Sequence, residues 1–417
     1  MVIRQLQKVI EERMFKGKVI ILIGARQVGK STLMKHLVGN MNVPVLSLNC
    51  DEPEMKEMLD KPNSEDLRLL IGNNKVILID EAQQVPDIGL TLKRMVDNFP
   101  DVQILVTGSS SFDLQNLLNE PLTGRKYEYH LYPISISELY DDKGYLFIKQ
   151  TLEQRLIYGS YPEVINHPEE AENIILDLIN SYLYKDLLAL DGLRRPTLIN
   201  KIVKALAFQV GSEVSFNELA QTVGTDNKTV EKYIDLLEKC FIVFRLEGLS
   251  RNMRNELKKA KKFYFWDNGV RNAVIQSFAP VGLRQDMGAL WENFFISERL
   301  KRNHYSDYRC LTYFWRTTQQ QEIDYVEEKD GAFSIFEMKW NPNKSKTKFP
   351  DSFLNNYALS YNPSPNQHNS HSHNHILLVP YYYLSQNNLH YFYCCLRIVV
   401  NLKHKFSFYF NPFFIQI

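Results

Sequence analysis

The segment that most constrains the fold is the run GARQVGKST at residues 24–32. It has the spacing GxxxxGKS, follows the apolar run VIILI and precedes the helix-like run STLMKHL. Glycines let such a loop wrap closely around an anion, and the backbone N–H groups of the following helix N-terminus favour a phosphate. In this context the motif predicts a nucleotide-binding P-loop rather than a glycine turn that only caps a helix.

The predicted ligands of this loop are ATP and Mg²⁺. The ammonium group of Lys30 would lie near the β- and γ-phosphates, and the Ser31 hydroxyl would coordinate the metal ion. The residues predicted to contact the nucleotide are Gly24, Ala25, Arg26, Gln27, Val28, Gly29, Lys30, Ser31 and Thr32.

An acidic motif downstream supports the P-loop prediction. The segment KVILIDEAQ is an apolar, strand-like run that ends in Asp80 and Glu81. The end of a strand would place both carboxylates beside the phosphates, where Asp80 would hold Mg²⁺ and Glu81 would act as general base on the attacking water. The alternative is a solvated acidic strand end without a ligand.

Two further candidates concern the γ-phosphate. The run VQILVTGSSSF ends a predicted strand in hydroxyl groups, so Ser109 or Ser110 is a candidate sensor, with ordinary turn chemistry as the alternative. Arg125, in PLTGRKYEYHLYPIS, is the candidate arginine that stabilises charge on the transferred phosphoryl group of its own or a neighbouring subunit. A surface arginine is the alternative, and Arg26 is a weaker candidate for the same role.

Short apolar runs alternate with helical stretches through residue 140. The runs at residues 19–23, 45–48, 76–79 and 104–106 are unbroken, which is typical of parallel strands covered by helices on both faces. The predicted fold class is therefore α/β, with a P-loop NTPase sheet of the additional-strand type over residues 1–140. A helical lid or connector is predicted over residues 141–200.

The rest of the chain predicts three more segments. Residues 201–275 read as a winged helix-turn-helix, with two helices around a turn near Gly224 and the strand-like FIVFRLEG, and residues 276–350 read as a small α/β domain. Residues 351–417 form an atypical low-complexity and hydrophobic tail, either a non-native, for example frameshifted, ending or a flexible linker with a packing segment. Its histidines are metal-ligand candidates or a chance His-rich loop: His368, His371, His373 and His375.

Composition and charge give only general constraints, so any binding to nucleic acid must come from local patches. A chain of 417 residues with 44% hydrophobic residues predicts two or three domains, and a net charge of +1 gives no global attraction to nucleic acid or membrane. The five cysteines form no CxxC pair, which fits a reducing compartment. Without an apolar run of about 18 residues in the body of the chain or a signal-peptide core at the N-terminus, we expect a cytoplasmic protein and no membrane partner.

Five phrases, GARQVGKST, ILIDEAQ, LVTGSSS, LTGRKYEYHLYPIS and YGSYPEV, resemble a family of prokaryotic AAA-like ATPases, the archaeal-type ATPases with a C-terminal domain of unknown function. The phrases RNMRNELKKAKKFYFWDNGVRNAV and GALWENFFISERLK resemble that C-terminal domain. The resemblance covers about residues 1–350 and implies an AAA-like ATPase core, a winged-helix region and a domain similar to restriction endonucleases. It implies no substrate, and the segment beyond Asp351 departs from the family's short ending.

Restriction-type nuclease cores need an acid on a first helix, an Asp on one strand and Glu-x-Lys on the next. The matching residues are Glu292, Asp324, Glu337 and Lys339. Asp324 and Glu337 would coordinate Mg²⁺, and Lys339 would lower the pKa of the attacking water or stabilise the developing charge. The alternative is a structural or vestigial role, because such a match is common by chance.

Duplex DNA is a candidate partner of the winged helix. In that fold the second helix enters the major groove with its N-terminal polar residues, here Asn227, Lys228, Thr229 and Lys232. A basic cluster follows where a wing would run: Arg251, Arg254, Lys258, Lys259, Lys261 and Lys262. Three acids on or beside the same helix weaken the DNA prediction: Asp226, Glu231 and Asp235.

Two functions are compatible with the sequence. The first is an ATP-hydrolysing, DNA-associated enzyme in which nucleotide state repositions the winged helix and a nuclease-like domain. The second is a nucleotide-switched regulator or scaffold whose C-terminal domain recruits a protein partner. Homo-oligomerisation is expected if Arg125 acts on a neighbouring subunit.

Overall fold

The structure, a computed structural model, describes residues 2–109, 122–181, 196–250, 261–317, 319–340, 349–353 and 357, and strand residues 375–376, 379–382, 391–396 and 399–400. The chain forms two units. The first comprises Met1–Lys204, Ala220–Phe244 and Phe265–Phe278, and the second comprises Ala205–Leu219, Arg245–Tyr264 and Ala279–Ile417.

A five-stranded parallel sheet forms the centre of the first unit. Its strands are β1 (Val19–Gly24), β2 (Val45–Asn49), β3 (Val76–Asp80), β4 (Gln103–Gly108) and β5 (Lys126–Leu131). The order β2-β3-β4-β1-β5 inserts β4 between β1 and β3. The predicted α/β fold with an additional-strand parallel sheet is therefore confirmed.

Strand β5 is the part of this sheet that the apolar runs did not predict. It pairs with β1 in parallel register from Val19 opposite Lys126 to Gly24 opposite Leu131. Its sequence, KYEYHL, carries polar side chains, and five of its six residues are only half-buried. An edge strand has a neighbour on one side only, so its sequence lacks the unbroken apolar character of β1.

Helices surround this sheet and continue beyond it. They are α1 (Leu6–Arg13), α2 (Lys30–Gly39), α3 (Pro53–Leu59), α4 (Ser64–Ile71), α5 (Ile88–Asn98), α6 (Ile136–Tyr158), α7 (Pro162–Asn166) and α8 (Ala171–Ser181). Helix α6 begins with a capping box in which Ser135 and Glu138 satisfy each other's backbone N–H groups, and it bends at Gly144. The helical region predicted after residue 140 corresponds to most of α6 and to α7 and α8.

Seven described elements lie between residues 196 and 274. They are α9 (Pro196–Phe208), β6 (Glu213–Val214), α10 (Phe216–Val223), α11 (Asn227–Lys239), β7 (Val243–Gly248), β8 (Lys261–Phe265) and α12 (Asn268–Val274). Helix α11 begins at an Asp226 side chain that accepts hydrogen bonds from the Thr229 N–H and hydroxyl groups.

Two distant segments of the first unit meet at a tight junction. The Asp267 carboxylate caps α12 at Val270 N and also accepts from Ser160 N at 2.7 Å, across 107 residues of sequence. Gly159 has φ +79°, and a Cβ there would lie 1.8 Å from the Asp267 carboxylate. The phrases YGSYPEV and WDNGVRNAV therefore pack on each other.

A six-stranded mixed sheet forms the second unit, in the order β11-β10-β9-β7-β8-β6. Its remaining strands are β9 (Leu311–Arg316), β10 (Glu322–Lys329) and β11 (Ala332–Phe336), preceded by α13 (Met287–Tyr305). Strands β9, β10 and β11 pair antiparallel, whereas β7 runs parallel to β9. A short helix α14 (Asp351–Phe353) follows, and β12 (His375–Ile376), β13 (Val379–Tyr382), β14 (Tyr391–Leu396) and β15 (Val399–Val400) form two-stranded pairs.

The apolar core of the second unit extends past the predicted domain end at residue 350. Phe353 packs with Phe349 against Trp315, Ile323 and neighbouring residues of the sheet. The aromatic ring of Phe353 is 1% exposed, so the boundary predicted there cuts through a packed cluster. No helix among the described residues is long and apolar enough to cross a membrane.

Gly159→Ala should destabilise the protein more than Gly144→Ala. Both glycines have φ +79°, so both variants adopt an unfavourable backbone region at a cost of about 1–3 kcal/mol. Only Gly159 faces a carboxylate, and the clash with Asp267 should add about 1–3 kcal/mol. Urea denaturation of both variants measures the difference, and equal losses of stability would contradict this account of the junction.

Candidate functional sites

The predicted P-loop lies between β1 and α2, at the carboxyl end of the parallel sheet. Gly24 ends β1 where β5 approaches so closely that a Cβ would lie 2.1 Å from the Leu131 carbonyl oxygen. Gly29 has φ +96° and stands directly before α2. The first glycine is therefore required by strand packing and the second by backbone conformation.

Lys30 reaches back across the loop. Its side chain is 5% exposed, and its ammonium group donates to the carbonyl oxygens of Gly24 at 3.0 Å and Ala25 at 2.8 Å. A compact positive charge is thus held beside the loop backbone, where bound phosphate oxygens would compete for its donors. The side chain of Ser31, in the first turn of α2, is partly exposed.

Asp80 ends β3 and Glu81 follows it, at the same edge of the sheet. Thr107, on β4, donates its hydroxyl hydrogen to Asp80 Oδ1 and accepts a hydrogen bond from Glu81 N at 3.3 Å. No sequence motif indicates Thr107, although it lies two residues before Ser109 in the same strand-end run. It links the two acids to the neighbouring strand and so fixes their direction.

Glu81 is oriented by a side chain that the sequence analysis also missed. Gln83 Nε2 donates to Glu81 Oε2 and, at 2.9 Å, to Ser109 Oγ. Glu81 itself has a left-handed backbone with φ 52°, which is uncommon outside glycine. The structure thus brings Ser109 to Glu81 through Gln83, while Ser110 lies outside the described residues.

Cys50 directly follows β2 and lies next to the end of β3. Its N–H donates to the Asp80 carbonyl oxygen at 3.0 Å, and its thiol is buried. Burial, reinforced by the negative charges of Asp80, Asp51 and Glu81, raises the pKa of the Cys50 thiol to about 12. The thiol therefore stays neutral and packs as a small apolar group.

Arg125 lies at the opposite end of the sheet. Its carbonyl oxygen accepts from the N–H of Val19, the first residue of β1, and its side chain pairs with Asp97 at 2.6 Å. The loop starts five residues later in β1, about 17 Å away at the usual rise of a strand. The structure therefore does not bring Arg125 to the loop of its own chain, and action on a neighbouring subunit stays a prediction.

In the second unit, the structure brings three of the predicted nuclease residues into contact. The ammonium group of Lys339 lies 2.9 Å from Glu337 Oε1 and 3.6 Å from Asp324 Oδ2. Asp324, on β10, also accepts from Met338 N at 2.8 Å, which ties it to the Glu-x-Lys segment after β11. Partial burial by itself would lower the pKa of the Lys339 ammonium group. The nearby carboxylates of Asp324 and Glu337 outweigh this effect and raise that pKa.

Glu292 joins the same cluster from helix α13. Tyr264 donates to Glu292 Oε1 at 2.7 Å, and Lys262 Nζ lies 3.5 Å from the same oxygen. Burial, together with the negative charge of Asp324, raises the pKa of Glu292 to about 7, while Lys262 and Tyr264 act in the opposite direction. We name this set, Lys262, Tyr264, Glu292, Glu322, Asp324, Glu337 and Lys339, the acidic cluster.

The environment of Lys262 contradicts one prediction. The side chain is 2% exposed and pairs with Glu322 and Glu292, so the prediction that it contacts DNA phosphates is wrong. Its neighbour Lys261 turns the other way and lies 5.0 Å from the Phe216 ring centroid. Arg251, Arg254, Lys258 and Lys259 lie outside the described residues.

Over the part of the chain that the structure describes, no group of three or more His, Cys, Asp and Glu side chains is arranged to hold a metal ion. In the acidic cluster Lys339 bridges Asp324 and Glu337 instead. The predicted histidine ligands His368, His371 and His373 lie outside the described residues, and nothing is described of the His375 side chain.

The polar face of α11 is charged but mixed in sign. Thr229 is engaged by Asp226 at the start of the helix, and its hydrogen bonds lower the pKa of that carboxyl. The exposed face forms a shallow depression of about 300 Å³, lined by Lys228, Glu231, Lys232, Asp235, Leu236 and Lys239. Three lysines and two acids give this face a small positive excess.

Glu292→Gln should change how stability depends on pH. The folded state binds the Glu292 proton more tightly than the unfolded chain does, so wild-type stability falls as the pH rises from about 4.5 through 7. The variant lacks this loss, and its stability relative to wild type should rise by on the order of 1–3 kcal/mol between pH 5 and pH 8. Denaturant titrations at both values measure it, with Glu172→Gln on the surface of α8 as control. Parallel profiles for wild type and Glu292→Gln would contradict the buried-acid assignment.

Family comparisons cover most of the chain. Residues 16–140 match the family described as AAA domain, residues 149–281 match a Domain of unknown function (DUF8612), and residues 287–386 match a Domain of unknown function (DUF4143). The last match runs past residue 350 and so includes part of the segment that the sequence analysis set apart as a tail.

Similar proteins and structures come from several organisms. Uncharacterized protein Rv2008c of Mycobacterium tuberculosis is 27% identical over 340 residues, 79% of this chain and 72% of that protein. An uncharacterized protein of Haemophilus influenzae is 26% identical over 330 residues, 74% of this chain and 79% of that protein. A Signal Transduction ATPase with Numerous Domains protein from Pyrococcus horikoshii aligns at 12% identity and TM-score 0.26 over 74% of this chain and 48% of that one. The chain described here carries an N-terminal AAA domain of the P-loop ATPase type and a C-terminal DUF4143 domain.

Proposed function

We propose that this chain hydrolyses ATP at the P-loop and uses the nucleotide state to act on duplex DNA. The single observation that carries the ATPase part is the meeting of three strand ends at one edge of the parallel sheet. There Lys30 holds the backbone of the loop after β1, and Thr107 on β4 is hydrogen-bonded to Asp80 and Glu81 at the end of β3. The AAA domain match over residues 16–140 supports nucleotide binding independently.

In this proposal the loop binds the phosphates. Lys30 exchanges its contacts with the Gly24 and Ala25 carbonyl oxygens for phosphate oxygens, and the backbone N–H groups at the start of α2 donate to the β-phosphate. Ser31 and Asp80 offer the hard oxygen ligands that Mg²⁺ prefers. Bound Mg²⁺ would supply neutralisation of the charge on the β- and γ-phosphates.

Glu81 is the proposed general base. The Gln83 side-chain amide donates to one carboxylate oxygen of Glu81 and also to the Ser109 hydroxyl oxygen. The base is therefore oriented before substrate binds. A carboxylate fixed in this way accepts a proton from the attacking water without first reorganising. Ser109 is the proposed γ-phosphate sensor because the Gln83 side chain links its hydroxyl to the Glu81 carboxylate. A movement of that hydroxyl would therefore be transmitted to Glu81.

The DNA part of the proposal concerns residues 201–275 as a winged helix. The order of elements from α9 through β8, with β6 paired to β8, supports this assignment. Helix α11 would enter the major groove with Lys228 and Lys232 on its exposed face. The alternative, a nucleotide-switched scaffold that binds a protein partner, is favoured by Glu231 and Asp235 on the same face, which reduce attraction to phosphates.

A second candidate function is nucleic acid cleavage at the acidic cluster. It is favoured by the contacts of Lys339 with both Asp324 and Glu337, and by the negative charge of Asp324, which adds to burial in raising the pKa of Glu292 on α13. The Lys339 ammonium group lies between the two carboxylates, where a metal ion would have to displace it, so this function ranks behind ATP hydrolysis.

An ATPase assay with and without duplex DNA tests the main proposal. Glu81→Gln should keep ATP affinity and lower turnover by about 10²–10⁴-fold, because only proton transfer is lost. Lys30→Ala should lose ATP affinity, since the charge beside the phosphates is removed. Lys35→Ala, an exposed lysine of the same helix, should match wild type.

Stimulation by DNA separates the two main functions. We expect duplex DNA to raise turnover, and the double variant Lys228→Ala, Lys232→Ala to reduce both stimulation and the salt dependence of binding. Slow turnover with tightly retained nucleotide and no response to DNA would contradict the DNA-associated enzyme and favour the scaffold.

A nicking assay with supercoiled DNA and Mg²⁺ tests the second candidate. Cleavage should persist in Lys30→Ala and disappear in Asp324→Ala, since the acidic cluster and the P-loop have no residue in common. If the wild-type chain cleaves no form of DNA or RNA with Mg²⁺ or Mn²⁺, cleavage is not its function.

A further inference from the structure

A buried arginine near the N-terminus contacts the P-loop. Arg4 precedes α1, and its side chain is 6% exposed. Its guanidinium donates to three different segments: Nη1 to the Val28 carbonyl oxygen at 2.7 Å, Nη2 to the Tyr132 carbonyl oxygen at 2.6 Å, and Nε to Glu138 Oε1 at 3.0 Å. Neither the sequence motifs nor the family matches assign a role to this residue.

The contact with Val28 fixes the direction of a peptide group in the loop. The carbonyl of Val28 and the N–H of Gly29 belong to one peptide unit, and no described peptide bond is cis. In a planar trans unit the oxygen and the hydrogen point to opposite sides. Because Arg4 holds the oxygen, the Gly29 N–H points away from Arg4, and Gly29 stands at the N-terminus of α2, where P-loops bind phosphate.

The free rotation that glycine allows makes this restraint necessary. Gly29 has φ +96°, a region that glycine enters and leaves with little penalty. Without a partner for the Val28 oxygen, the Val28–Gly29 peptide can turn and direct its N–H away from a phosphate. A planar guanidinium has five N–H donors. That of Arg4 can therefore hold the Val28 oxygen and at the same time donate to two other acceptors that fix its own position.

The other two contacts anchor the guanidinium. Glu138 is fully buried, and its carboxylate also accepts from Gln5 N at 3.0 Å and Ser135 N at 2.9 Å. It is the third residue of α6 and closes the capping box of that helix. Tyr132 follows β5 directly, so Arg4 joins the P-loop to the end of β5 and the start of α6.

We propose that Arg4 is a positioning residue for nucleotide binding, which orients the Val28–Gly29 peptide so that the Gly29 N–H donates to the β-phosphate. Through Glu138 the same guanidinium links that peptide to the first turn of α6. The ligand concerned is a nucleoside diphosphate or triphosphate, and this inference rests on nucleotide binding at the loop as proposed above.

The test compares Arg4→Lys with Arg13→Lys in the full chain. Arg13 ends α1 near the same terminus but packs over the Tyr127 ring and does not touch the loop. A lysine at position 4 keeps the charge but loses the fork that holds three acceptors, so calorimetry should show about a tenfold weaker affinity for ADP, the effect of one well-placed hydrogen bond. The ³¹P resonance of the bound β-phosphate should shift in Arg4→Lys and stay at the wild-type position in Arg13→Lys.

Glu138→Gln provides a second variant that keeps the shape of the buried contact. It should weaken ADP binding and shift the β-phosphate resonance in the same direction as Arg4→Lys, by a smaller amount. Wild-type ADP affinity with an unchanged β-phosphate resonance in either folded variant would overturn the assignment of Arg4. Absence of ADP binding by the wild-type chain would instead overturn nucleotide binding itself, so the two failures are distinguishable.

Discussion

The parallel pairing of β1 with β4, and of β4 with β3, is the constraint on which the candidate nucleotide site depends. Parallel strands end at one edge, so the loop after β1 and the acids at the end of β3 lie at the same edge of the sheet. The strands are buried on both faces, and a slip of one residue would turn every side chain to the other face. Apolar packing thus fixes the position of Asp80 and Glu81 before any ligand is present.

Local patterns were sufficient to predict the P-loop, four strands and the acids, because each depends on neighbours in sequence. Thr107 and Gln83 were missed because their roles depend on which strand lies beside which. The order β2-β3-β4-β1-β5 cannot be read from apolar runs. The same topology separates Arg125 from the loop, since a residue before a parallel strand lies at the opposite edge from a residue after one.

In the acidic cluster, too, some residues were predicted from the sequence and another was not. The nuclease-type pattern predicted that Asp324, Glu337 and Lys339 converge, and the structure brings them together through the hairpin of β10 and β11. Lys262 was misjudged because its segment, KKAKKF, has the composition of a solvated charge run. In a strand, consecutive side chains face opposite sides, so one of two adjacent lysines enters the cluster and the other packs on Phe216.

The bond between Asp267 and Ser160 closes a ring of 107 residues. The entropy lost in closing such a ring grows only with the logarithm of its length, so doubling the enclosed chain adds about 0.6 kcal/mol. Lengthening an exposed connection between residues 160 and 267 would therefore add little to the entropy lost on closing this ring. The helices in that segment that belong to the first unit, such as α7 and α8, could stay as they are while such a connection changes in length.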